Sequence, residues 1–179
     1  MPGHLAPAKK SLIEEIKLRL LKGAISPFEI AGFKKRAQEL KSSDTDNAFA
    51  VLGIIACIEG DLEECRKHHE NAIRHAKFPS IQISNYATSL NYIGLHSEAL
   101  ELALRARKAD MTNMKALDVA VMASFNLGDE QRYIAFASEW KRLVGDDHPT
   151  YSEYLEEVKE ANELTACCTY GAMQTAGAH

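Results

Sequence analysis

Apolar residues recur three and four positions apart along most of this chain, the spacing of one face of a helix. Phe49, Leu52, Gly53 and Ala56 make one such face, and Ile30, Phe33, Ala37 and Leu40 another. Tyr151, Tyr154, Leu155, Val158 and Leu164 make a third, with acidic residues on its outer side. Ser11-Leu-Ile-Glu14 and Ser26-Pro-Phe-Glu29 are capping boxes, the second with Pro27 at the first helical position. They predict helices near 11–23 and 27–41. SSDTDN at 42–47 is a linker and helix start, and the third face predicts an amphipathic helix over 150–165. Residues 1–10 and 166–179 are expected to be flexible ends; from Thr165 the chain carries no Asp, Glu, Lys or Arg.

The pattern repeats. Gly60, Gly94 and Gly128 are 34 residues apart, and so are Phe49, Ile83 and Leu117, then Leu52, Tyr86 and Ala120. Beyond each glycine, Cys65, Ala99 and Tyr133 share a column, as do His69, Ala103 and Ala137, then Ala72, Ala106 and Trp140. Each unit reads as two helices joined at the glycine, which ends the first in a left-handed cap at no side-chain cost. Asp61, Ser97-Glu98 and Asp129 mark the start of the second helix, and Pro79 and Pro149 separate units. Small pairs, Gly53 with Cys65 and Ala87 with Ala99, are expected to let the two helices of a unit cross closely.

FAVLG…A…GDLEEC…H…A over 49–72 and YATSLNYIGLHSEALELALRA over 86–106 resemble the tetratricopeptide repeat family, the likeness extending over about 46–145. The resemblance implies an all-α, right-handed α-solenoid: a basic helical hairpin at 11–41 as cap or degenerate repeat, three repeats at 46–145, and a capping helix at 150–165. End caps are needed because a terminal repeat has no neighbour to cover its apolar face. The third copy departs from the pattern: Tyr133 is expected to tilt its helix pair, and Trp140 to pack against the terminal helix.

The resemblance also implies that the first helix of each pair lines a concave groove. In this sequence the lining residues are Val51, Ile54 and Ile58 from the first copy, Asn85, Thr88, Asn91 and Tyr92 from the second, and Lys115, Asp118, Val119, Met122 and Phe125 from the third. Amides in the middle suit a peptide backbone, and apolar residues at both ends suit side chains. Val51, Ile54 and Ile58 are equally readable as covered by the N-terminal hairpin; Met122 and Phe125 read as an accessible groove, with burial under the C-terminal helix as the alternative. Of the carboxylate clamp that some members direct at chaperone tails, Asn85 and Lys115 match. Ala50, Ile54 and Val119 stand where a Lys, an Asn and a basic residue belong, so no clamp is expected. Leu21-Lys-Gly-Ala-Ile-Ser-Pro27 resembles a segment preceding the first repeat of type III secretion chaperones, but here a further helix intervenes.

Composition narrows the classes. The 179 residues are 46% hydrophobic with a formal charge of −4, ordinary for a globular chain. Residues 1–41 carry nine Lys/Arg against four Asp/Glu, and residues 42–179 twelve against twenty-one. The basic end offers an alternative reading as a nucleic-acid-associated regulator, though only Phe28 and Phe33 are near enough to stack on bases. It also permits a homodimer through the N- or C-terminal helices. Four cysteines make no disulfide framework, and the absence of a leader or membrane span predicts a cytoplasmic protein with reduced thiols. Cys65 and His69 have a possible metal-ligand spacing, but both fall in packing columns, so no metal or cofactor is expected. No phosphate loop, nucleophile elbow or zinc-protease motif occurs, and the paired acids lie on solvated faces. The sequence reads as a non-catalytic protein-binding scaffold: an adaptor, chaperone or regulator.

Overall fold

The structure, a computed structural model, describes residues 11–159. The expectations for 1–10, for the end of the C-terminal helix and for the tail with Cys167 and Cys168 lie outside the described residues. Among the described residues the regular structure is helical, with no strand. In order come α1 (Leu12–Leu20), α2 (Pro27–Leu40), α3 (Thr45–Glu59), α4 (Leu62–His75), α5 (Pro79–Tyr92), α6 (His96–Ala109), α7 (Met114–Asn126) and α8 (Glu130–Val144). A further helical stretch covers 151–159. None of the described helices is long and apolar enough to cross a membrane.

The local signals act as physics requires. Both capping boxes close: Ser11 accepts from the Glu14 amide while Glu14 accepts from the Ser11 amide, and Ser26 and Glu29 do the same. Asp61 and Asp129 accept from the Glu64 and Arg132 amides at the starts of α4 and α8. The three periodic glycines have φ of 81°, 84° and 65°, the left-handed region that a side chain would strain. Ser97 and Glu98 lie in the first turn of α6, which begins at His96 without a side-chain cap.

The chain forms two compact units that divide within α7, after Val119. In the first, the hairpin α3–α4 packs beside α5–α6. Ile16 of α1, Ala37 of α2 and Val51, Leu52 and Ile55 of α3 form one buried cluster, with Ile13, Phe33, Ile54 and Ile58 packed against it. Ile83, Ala106 and Ala116 form a second, flanked by Ile73 and Leu102. Burying a side chain such as Ile16, which is fully covered, contributes roughly 1.5–3 kcal/mol.

In the second unit Tyr133 is 1% exposed. Its ring packs on Phe125 at 5.5 Å and on Tyr154 at 4.8 Å, and its hydroxyl accepts from Thr150 Oγ1 at 3.3 Å. The outsized residue of the third copy is thus the anchor for the C-terminal helical stretch. Trp140, expected in that role, meets His148 edge-on at 4.9 Å in the loop before it.

Candidate functional site

Two of the predicted lining residues of the first unit, Asn85 and Lys115, lie along one polar seam. Gln82 on α5 donates to Asp46 Oδ2 at 2.9 Å and Asn47 Oδ1 at 3.0 Å on α3. Asn85, one turn on, donates to Gln82 Oε1 at 2.7 Å and accepts from Lys115 Nζ on α7. Lys17 of α1 reaches the same amine. Burial first, then the Lys17 charge and its hydrogen bond, push Lys115 down to about 6, against the opposing pull of Asp118. The amides that spacing placed in the middle of the wall are therefore present, but Asn85 is only 4% exposed and is committed to neighbours within the fold.

Helix α1 covers part of the predicted lining. Leu12, Ile13, Ile16 and Leu20 pack with the α3 cluster, leaving Val51 fully buried and Ile54 and Ile58 half-buried. Of the two readings of these three residues, the described arrangement is the covered one. Val119 is also fully buried, because it sits on the packed side of α7. Val51, Asn85 and Val119 are thus not surface residues. Thr88 is half-buried and donates to the Ser84 carbonyl at 2.8 Å; Asn91 Oδ1 pairs with His96 Nδ1 at 2.7 Å. Tyr92 is 60% exposed, and Lys115 and Asp118 are half-buried.

In the second unit Met122 and Phe125 are both half-buried. Phe125 lines a cleft of about 340 Å³ with Tyr133, Tyr154, Glu157 and Val158, so the C-terminal stretch forms its far side without closing it.

A second constellation was read from the sequence as packing alone. Cys57 and Cys65 form a disulfide across α3 and α4, with Cα atoms 5.2 Å apart. The expected reduced thiols are thus corrected: two small residues in facing columns of a close helix crossing bring their sulfurs together. His69 follows Cys65 by one turn and is fully buried. Its ring stacks on Tyr86 at 4.8 Å, and a Cβ at Gly53 would come within 2.7 Å of it. Gly53 therefore makes room for this imidazole, a role that its position opposite a packing column did not disclose. Burial, with smaller effects from Lys115 and His68, holds His69 down to about 3, so it is neutral.

No protein-family model, curated protein or solved structure matches the chain.

Proposed function

We propose that the chain is a right-handed α-solenoid of tetratricopeptide type and a non-catalytic scaffold that receives an amphipathic helix of a partner protein. The observation that carries this is α1. It inserts Ile16 among the inner residues of α3 and sets Lys17 beside Lys115 on α7. The wall thus already holds a helix of its own chain, through one apolar stripe and one polar contact. A partner helix would extend along Thr88, Tyr92 and Asp118, or take the place of α1. An adaptor, chaperone or regulator fits this equally.

The nucleic-acid reading has less support. Arg19, Lys34 and Arg36 of the basic hairpin are engaged by Glu29 at 2.5 Å, Glu59 at 2.7 Å and Glu15 at 2.6 Å. Those cations hold helices together and offer less charge to phosphates.

The test compares capture of partner proteins by the immobilised chain and two variants whose helix content is first checked by circular dichroism. Ile16→Asp should release α1 and increase capture. Thr88→Lys with Tyr92→Ala should reduce it. Capture indifferent to both changes would overturn the reading.

A further inference from the structure

We propose that, when the Cys57–Cys65 disulfide is reduced, Cys57, Cys65 and His69 form a buried binding site for a thiophilic d10 metal ion. Cys57 comes from α3, and Cys65 and His69 from successive turns of α4. The two sulfurs and an imidazole nitrogen lie within 4.8 Å of one another, and all three residues are buried. Two thiolates and an imidazole around one zinc ion, with bonds of about 2.3 Å and 2.0–2.1 Å, stand roughly 3.5–3.8 Å apart. With the Cα atoms 5.2 Å apart, rotation of the two cysteine side chains can part the sulfurs to that spacing.

The second observation concerns the imidazole and is independent of the cysteines. Ser89 Oγ donates its one hydrogen to the Asn85 carbonyl at 3.2 Å. In the tautomer we assign, it accepts from His69 Nε2, 2.9 Å away. That assignment puts the proton of the neutral ring on Nε2 and leaves a lone pair on Nδ1. Nδ1 is buried and has no hydrogen-bond partner. A buried polar atom left unmatched costs free energy, and a metal ion is the partner that this tautomer fits. Ser89 stands where metal-bound histidines find the group that fixes their tautomer, and the stacked Tyr86 ring holds the plane.

A cellular thiol reduces the disulfide: the Cys57–Cys65 sulfur bond breaks, each cysteine gains a hydrogen, and two thiol molecules leave joined as a disulfide. Binding the ion then releases both thiol protons to solvent. Zinc would leave the buried site electrically neutral, whereas copper(I) suits three soft donors. The shared chemistry is a thiophilic cation, and the two ions are separate arms of the test.

The experiment uses the full chain carrying Cys167→Ser and Cys168→Ser, so that tail thiols do not contribute. It is reduced with a phosphine under anaerobic conditions and refolded with Zn2+ or with Cu+, because the site is buried. After desalting, metal content and thiol reactivity are measured, and cobalt(II) substitution is followed by its sulfur-to-metal charge-transfer band. The expected result is one ion per chain in at least one arm, with both thiols protected until a chelator is added. Ser89→Ala, which leaves the three ligands in place, should weaken binding roughly tenfold or more. Overturning results are no retained ion in either arm, thiols that stay reactive with metal present, or unchanged affinity in Ser89→Ala. These readouts use chains with an intact ligand set, so a folding defect in a cysteine variant does not obscure them.

Discussion

At the residue scale the buried His69 makes stability depend on pH. It is neutral in the fold down to about pH 3, while in the unfolded chain it takes up a proton near 6.5. The unfolded state therefore binds more protons below pH 6.5, and stability falls as pH falls, by about 1.4 kcal/mol per unit. The disulfide-bonded protein without metal should lose about 2 kcal/mol between pH 6.5 and 5, more than His69→Gln loses over the same interval; urea midpoints at the two pH values measure the difference. Gly53→Ala should cost about 1–3 kcal/mol, since the added methyl meets the ring at 2.7 Å. Adding His69→Ala should return part of that loss, because the two changes share one contact, and a double-mutant cycle reports the coupling. Lys17→Met should raise the Lys115 titration seen by NMR, because the Lys17 charge and hydrogen bond help to hold it down. An unchanged titration would mean that the two amines do not interact.

At the element scale the sequence was informative where a signal is local. The 34-residue glycine period located three helix ends because a positive φ tolerates few other residues. Both N-terminal capping boxes were readable because each closes within four residues. What covers a face is not local. The stripe Ile13, Ile16, Leu20 says that α1 is covered, and nothing in it says that α3 does the covering. Likewise Tyr133 packs 21 residues ahead onto Tyr154. Tyr133→Ala tests that last contact. It should cost about 3–5 kcal/mol in the second unit and raise amide exchange over 151–159.

At the scale of the whole molecule the candidate wall and the thiol cluster are products of one design constraint. Helix pairs that cross closely need small residues at the crossing, and here the small residues are a glycine that admits an imidazole and two cysteines that meet. Spacing alone made Cys65 and His69 ordinary packing residues, because the partner thiol sits on another helix. If the repeats contribute to stability as an array of local units, the disulfide should act locally as well. It closes a loop with a sequence separation of 8, worth roughly 2.5 kcal/mol in lost unfolded-chain entropy. Reduction without added metal should therefore speed amide exchange throughout α3 and α4, while 120–159 exchanges as before. Hydrogen exchange read by mass spectrometry distinguishes this from a single cooperative unit, in which both regions would lose protection together and local accounting by repeats would fail.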